Sequence, residues 1–194
     1  MLPEFNKRGY LPPGRYQTTM DGAAELLVRS DLFAESATRT QIWTGFETYL
    51  SRFVALEDRF PELLDGQKLI HCIWLGGSFT SSKVDPSNMD ATLFMNPAAE
   101  RAIRGNPGSK WLTTAFKSWT AMENRFGVAP HRIPYRVVAS IMKPDQLPLE
   151  DLEYFRDRGR WDDWWQRCRT IGKENDEPSL ESAKHVRGYL EVTL

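Results

Sequence analysis

The sequence has little net charge, few cysteines and no long apolar segment. Its 25 lysines and arginines nearly balance its 26 aspartates and glutamates, giving a formal net charge of −1. Charge therefore gives no indication of nucleic-acid binding or of attachment to an anionic membrane. No stretch approaches the length of a membrane span, and the N-terminus lacks the apolar core of a signal peptide, so we expect a cytoplasmic protein that does not enter a membrane.

The cysteines and histidines do not form a recognisable metal or disulfide pattern. Cys72 lies in an apolar segment and Cys168 in a predicted helix, with no paired spacing that indicates zinc or a disulfide framework. We expect both to be reduced thiols in the core. His71, His131 and His185 likewise lack metal-ligand spacing. The 194 residues are enough for one domain with a sizeable core.

Apolar residues recur at helical spacing in one segment and run continuously in another. The first pattern predicts a long helix with one face against a sheet, formed by Ile42, Trp43, Phe46, Tyr49, Leu50, Phe53 and Val54. The continuous run Leu69–Leu75 predicts a central strand covered on both faces. Further strands are predicted over residues 91–95 and 135–142, and a half-buried strand at a sheet edge over 189–194.

The order of these elements predicts the fold class. Residues 1–17 are rich in proline and glycine and predict an extended arm packed on the domain. Two helical segments are predicted at 149–155 and 161–168, and residues 170–194 are expected to form a polar loop and the terminal strand. Residues 1–194 are therefore predicted to be a single α/β (α+β) domain, with a small mixed sheet flanked by helices.

The most informative segment joins the strand Leu69–Leu75 to the strand that follows it. The connection begins with Gly76-Gly77-Ser78. Because glycine has no Cβ, the backbone can turn tightly there and approach a bound group closely, with the Ser78 hydroxyl beside it. Such a turn suits a phosphate. The alternative is a tight turn between a strand and a helix, capped by Ser78, which needs no ligand.

Two polar residues mark the start of the second strand. Asn88 and Asp90 are two positions apart, so strand alternation directs both side chains to the same face. Asp90 is either a carboxylate in a cleft, able to bind one cation, or a solvent-facing residue. Lys83, in the intervening loop, either neutralises a triphosphate as a point charge or is a solvated surface charge.

Together these residues resemble the signature of the DNA polymerase β-like nucleotidyltransferase superfamily. In that signature a hydrophobic residue, Gly, and Gly or Ser come shortly before an Asp-hydrophobic-Asp pair on a strand. The resemblance implies phosphate or nucleotide contacts from Gly76, Gly77, Ser78 and Lys83, and a catalytic site in which Asp90 and Asn88 hold Mg²⁺ or Mn²⁺.

The sequence departs from this signature at residue 88. Asn88 stands where the superfamily has its first aspartate, and it offers a carbonyl oxygen but no charge to hold a second dication. The superfamily places a third carboxylate on a later strand, whereas the predicted strand 135–142 contains no acid. Asp85, or an acid from the C-terminal part, could take the place of a missing carboxylate.

The whole chain is also similar to a family of short bacterial proteins described as nucleotidyltransferase-like. The shared features resemble Leu11-Pro12-Pro13-Gly14, Gly76-Gly77-Ser78-Phe79 with Lys83, and Arg187-Gly188-Tyr189-Leu190-Glu191-Val192. This similarity implies the nucleotidyltransferase-like fold over nearly the full length.

Two hypotheses about function follow. The first is a degenerate nucleotidyltransferase-like protein with weak or no catalysis, which senses a nucleotide or binds a protein, as in a toxin–antitoxin or phage-defence pair. The second is an active metal-dependent enzyme that moves a nucleoside monophosphate from an NTP to a protein or RNA hydroxyl. The acid absent at residue 88 favours the first, and the retained turn with Asp90 favours the second. We expect an NTP ligand and a protein partner or a homo-oligomer.

Overall fold

The protein is a single-domain α+β fold built on one five-stranded mixed sheet. The computed structural model describes residues 2–139, 142–168 and 177–194. The strands are β1 (Gly14–Thr19), β2 (Ile70–Gly76), β3 (Met89–Met95), β4 (Val128–Pro134) and β5 (Gly188–Thr193). Their order is β1-β5-β2-β3-β4; β1 runs parallel to β5 and β3 to β4, and the other two pairs are antiparallel. The predicted fold class is confirmed.

Helices cover both faces of the sheet. They are α1 (Met20–Ala24), continued by a π-helical turn (Glu25–Arg29), α2 (Arg39–Arg59), α3 (Pro61–Leu64), α4 (Pro97–Ile103), α5 (Trp111–Thr114), α6 (Trp119–Phe126) and α7 (Leu149–Trp165). Short 3₁₀ turns lie at Asp31–Phe33, Ser78–Thr80 and Pro144–Gln146. Among the described residues, no helix has the length and apolar character needed to cross a membrane.

Helix α2 packs on one face of the sheet and forms the larger core. The predicted inward residues from Ile42 to Phe53 are buried, as expected. Val54 is an exception, with 48% of its surface exposed, because it follows Phe53 directly and one residue rotates a helix by about 100°. The sheet contributes alternate residues of β2 and β3 to this core, among them Ile73, Leu75, Ala91 and Leu93.

Helix α7 covers the opposite face. It is one continuous helix, where the sequence predicted two segments. The smaller core beneath it contains Cys72, Trp74, Phe94, Ile133, Tyr154, Trp165 and Tyr189. Trp161 and Trp164 are partly buried against this core, so the aromatic stripe of α7 packs on its own sheet.

The strand predicted over 135–142 is wrong. The strand that pairs with β3 is β4, and residues 135–138 form no regular element, with Val137 85% exposed; residues 140 and 141 lie outside the described part. β4 contains Pro130 and Pro134, and proline is unusual within a strand, so the sequence pattern does not indicate a strand there. They are tolerated because β4 is an edge strand, whose outer side needs no ladder hydrogen bonds.

The terminal strand β5 is also not at an edge, contrary to the prediction. It lies between β1 and β2, because the end of the predicted N-terminal arm forms the outer strand β1. The polar residue that indicated a solvated face, Glu191, is held within the sheet. It accepts hydrogen bonds from Trp74 Nε1 and from Gln17 Nε2, both at 2.8 Å. Residues 169–176, which include most of the predicted polar loop, lie outside the described part.

Candidate functional site

The Gly-Gly-Ser turn lies at the end of β2, directly beside Asp90. Gly76 is paired with Asp90 in the β2–β3 ladder, and Gly77 has φ +66°. A Cβ at Gly77 would lie 1.7 Å from Asp90 Oδ2, so the contact requires glycine. The 3₁₀ turn that begins at Ser78 has no side-chain cap, so the predicted capping role of the partly exposed Ser78 is wrong, although β2 does lead into a tight turn as that alternative predicted.

Asp90 carries a partly buried carboxylate that makes no hydrogen bond or ion pair with the residues described. It shares its sheet face with Thr92, under helix α7, because alternate strand residues point the same way. Burial raises the pKa of Asp90 to about 6; the positive charge of Arg187 opposes this shift and the negative charge of Glu123 adds to it. Asp90 is therefore a partly buried carboxylate and not a fully solvent-facing one.

Arg187 holds the turn from the strand β5 side. Its side chain is buried, with 7% of the residue exposed. The Nη2 group donates to the Gly77 carbonyl oxygen and, at 2.8 Å, to Thr80 Oγ1. A positive charge thus lies against the turn and close to Asp90. Sequence analysis names Arg187 only within the shared C-terminal segment and assigns it no role, because residues 77 and 187 are brought together only by the insertion of β5 beside β2.

Arg39, the first residue of α2, fixes the loop that follows the turn. Its guanidinium is 1% exposed and donates at 2.6–3.2 Å to the carbonyl oxygens of Leu27, Phe79, Ser81, Lys83 and Val84. Burial lowers the pKa of Arg39 to about 10, so the group stays charged at neutral pH. One buried side chain therefore determines the course of residues 79–84. Sequence analysis did not identify this role of Arg39.

Lys83 and Asp85 lie in this same loop but differ in their surroundings. The structure leaves the Lys83 side chain exposed, while its backbone is bound by Arg39. Asp85 accepts hydrogen bonds from Ala37 N at 2.8 Å and from Ser36 Oγ at 3.1 Å, just before α2. Asp85 is thus used to fix the start of α2 and does not replace the carboxylate missing at residue 88.

Asp162 and Asp163 of α7 are also engaged by other residues. Asp162 accepts a hydrogen bond from the Tyr189 hydroxyl. Asp163 forms ion pairs with Arg167 and with His185, the latter at 2.8 Å. The structure thus gives both acids partners in the C-terminal part of the chain, and an acid supplied from there to the turn stays a prediction.

The acid that does lie near Asn88 comes from helix α6. Asn88 Nδ2 donates to Glu123 Oε1 at 2.9 Å, and Met89 N donates to the Gly127 carbonyl oxygen at 2.8 Å, which fixes the start of β3 against the end of α6. The structure therefore brings Glu123 into contact with Asn88, and the negative charge of Glu123 acts on Asp90. Carboxylate and amide oxygens are hard donors, which fit the Mg²⁺ or Mn²⁺ implied by the sequence. No group of three or more His, Cys, Asp or Glu able to hold a metal occurs among the described residues.

An aromatic group from α7 closes one side of the turn. A Cβ at Gly76 would lie 2.4 Å from Trp165 Cε3, and Trp165 Nε1 donates to Thr92 Oγ1 at 3.0 Å. Trp165 stacks on Trp161, with ring centroids 5.1 Å apart, and Trp161 lies 4.1 Å from the His131 ring. Gly76 is thus needed for the packing of Trp165, whereas Gly77 is needed for the approach to Asp90.

An open groove of about 710 Å³ occurs elsewhere, beside β1 and the end of α1. Its lining includes Gln17, Thr18, Glu25 and Arg29. It contains none of the predicted site residues, so we place the candidate site at the Gly-Gly-Ser turn.

The fold and the site define a single-domain α+β protein in which a glycine turn meets a partly buried carboxylate. The chain belongs to a family of unknown function, DUF6932, which matches residues 3–193. No curated protein and no solved structure matches the chain. The description of the family names no activity, so the resemblance to nucleotidyltransferases stays a prediction.

Proposed function

We propose that the protein is a degenerate nucleotidyltransferase-like nucleotide sensor, which binds an NTP and one divalent cation at the Gly76-Gly77-Ser78 turn with weak or no catalysis. The observation that supports this most is the contact between Gly77 and Asp90. It puts main chain without a side chain directly beside a carboxylate that has no partner among the described residues. A phosphate and its cation need such neighbours.

Each predicted residue has a part in this proposal. Gly76, Gly77 and Ser78 form the turn that receives the phosphates, and Asp90 with the Asn88 carbonyl oxygen supplies ligands for Mg²⁺ or Mn²⁺. Lys83 contributes an exposed positive charge. Weak catalysis follows from charge, because two dications held side by side need more carboxylates than Asp90 alone provides.

A second candidate is an active enzyme that transfers a nucleoside monophosphate to a hydroxyl group. The hydrogen bond between Glu123 and Asn88 favours it, because this acid adds negative charge beside residue 88. Release of pyrophosphate from an NTP would distinguish the enzyme from the sensor. A protein partner or a homo-oligomer, as in a toxin–antitoxin or phage-defence pair, also stays a prediction.

Thermal unfolding in the presence of each of the four NTPs tests the proposal, with and without Mg²⁺ or Mn²⁺. A ligand at about 100 times its dissociation constant stabilises the folded state by about 2.7 kcal/mol. We expect a metal-dependent shift for wild type, loss of the shift for Asp90→Asn, and a normal shift for the exposed control Asp58→Asn. The absence of a shift with every nucleotide would contradict the proposed function.

A further inference from the structure

Arg187 is a buried arginine that uses only part of its hydrogen-bonding capacity. Only 7% of its surface is exposed. Both of its hydrogen bonds come from Nη2, which donates to the Gly77 carbonyl oxygen and to Thr80 Oγ1. Its Nε is buried as well and has no hydrogen-bond partner in the described part of the chain. Because a guanidinium carries donors and no acceptor, the group that would complete Arg187 is an acceptor.

The positive charge of Arg187 is not neutralised by an acid. The ion pairs formed among the described residues do not include it. Its guanidinium carbon lies 5.7 Å from the centre of the Tyr10 ring, a contact that is favourable but brings no negative charge. A buried charge without a counter-charge is costly, so an acceptor that carries negative charge fits this place best.

Arg187 and Asp90 meet the same residue at different atoms. Arg187 binds the carbonyl oxygen of Gly77, and Asp90 Oδ2 lies 1.7 Å from the position that a Cβ of Gly77 would occupy. The two side chains carry opposite charges next to one residue and yet form no ion pair with each other. A phosphate with a bound divalent cation matches both, because the phosphate oxygens accept from a guanidinium while the cation binds a carboxylate.

We propose that Arg187 binds a phosphate group of the nucleotide at the Gly76-Gly77-Ser78 turn, through the donors that the turn leaves free. This inference rests on the proposed function, since it assigns a further phosphate ligand to the same site. Lys83 is exposed, so water and salt screen its charge, whereas the charge of Arg187 acts from a buried position. Arg187 is therefore the stronger of the two phosphate ligands.

Calorimetric titration of the full chain with ATP, adenosine and tripolyphosphate tests the inference, with Mg²⁺ and separately in EDTA. Arg187→Lys keeps the charge but loses the planar fork of donors. We expect it to weaken the binding of ATP and of tripolyphosphate about tenfold or more, and to change adenosine binding by less than about twofold. Arg104→Lys, an exposed change just after α4, is the matched control. Thr80→Val removes one partner of Arg187 and measures the effect of loosening the turn alone.

The outcomes separate this inference from the proposed function. Unchanged ATP binding in Arg187→Lys, or an equal loss in Thr80→Val, would overturn the role of Arg187 and leave the nucleotide site intact. Binding of tripolyphosphate that depends on Arg187, in a protein that binds no nucleotide, would reject the proposed function and support the phosphate site. Failure of wild type to bind ATP and tripolyphosphate would reject both.

Wild type alone decides the matter if Arg187→Lys does not fold. A phosphate held by a guanidinium does not need a cation, so tripolyphosphate should still bind in EDTA. Binding that disappears completely without Mg²⁺ would overturn the inference.

Discussion

Asp90 Oδ2 occupies the place where a side chain at Gly77 would begin. The distance from this oxygen to an ideal Cβ of residue 77 is 1.7 Å, and the φ of Gly77 is +66°. Two separate requirements therefore demand glycine here: a backbone conformation that L-residues rarely adopt, and the close approach of a carboxylate. Experiment can separate these two requirements, because Gly66 also has a positive φ but has no atom in the place of an added Cβ.

Gly77→Ala is expected to destabilise the protein and to abolish its stabilisation by nucleotides. Gly66 is the matched control, since it has φ +74° and no atom within 4 Å of an added Cβ. Alanine should cost about 1–2 kcal/mol at Gly66 from its positive φ, and about 1–3 kcal/mol at Gly77, because its φ of +66° and ψ of −166° lie in a region essentially limited to glycine. At residue 77 displacement of Asp90 should add about 1–3 kcal/mol. Urea unfolding of both variants measures the difference, and equal losses would show that the Asp90 contact carries no strain.

The part of the site that is local in sequence could be predicted. Glycine chemistry and strand alternation brought Gly77 and Asp90 forward as candidates, and the structure places them in contact. Glu123 and Arg187 could not be predicted in the same way. They reach the site through the packing of α6 and the insertion of β5, which depend on contacts 35 and 110 residues apart in the chain.

The errors in the predicted sheet have a similar origin. β4 was missed because its prolines weaken the strand pattern, although an edge strand tolerates them. β5 was assigned to an edge because Glu191 alternates with apolar residues. Its burial beside Trp74 depends on where β1 pairs, and no local pattern records that pairing.

Arg39→Met is expected to cost at least about 3 kcal/mol, because it leaves several buried carbonyl oxygens without a donor. Arg39→Lys should also destabilise the protein, since an ammonium group cannot reach the same set of acceptors. Arg29→Met is the control: this exposed arginine pairs with Asp21 and Glu25, and its loss should have little effect. Chemical denaturation checks all three, and a mild Arg39→Met would contradict the role of this residue in ordering the loop.

Asp90→Asn is expected to raise stability at pH 7 while removing cation binding. Burial holds the pKa of Asp90 near 6 in the folded protein, against 3.8 for an ordinary aspartate. The folded state therefore favours the protonated form, and the contribution of Asp90 to stability falls as the pH rises from about 3.8 to about 6. Ionised Asp90 costs on the order of 3 kcal/mol at neutral pH, which asparagine avoids. Urea unfolding at pH 7 measures the gain, and a less stable variant would contradict it.

His131 should give the opposite dependence on pH. Burial, aided by the nearby positive charge of Arg160, lowers its pKa to about 4 from 6.5. The unfolded chain then binds the proton more readily, so the contribution of His131 is complete above pH 6.5 and is lost as the pH falls towards 4. Between pH 4 and pH 6 this slope opposes that of Asp90, and the two partly cancel in the wild type.

Single variants separate the two contributions. In Asp90→Asn only the contribution of His131 to the pH dependence remains. The free energy of unfolding should therefore fall more steeply than in wild type as the pH drops from 6 to 4. In His131→Gln only the contribution of Asp90 remains. Acidification over the same range should therefore lower the free energy of unfolding less than it does in wild type. Urea unfolding at several pH values gives both slopes relative to wild type. If plots of unfolding free energy against pH run parallel to wild type for both variants, neither pKa is shifted as described. That result would contradict the burial of both side chains.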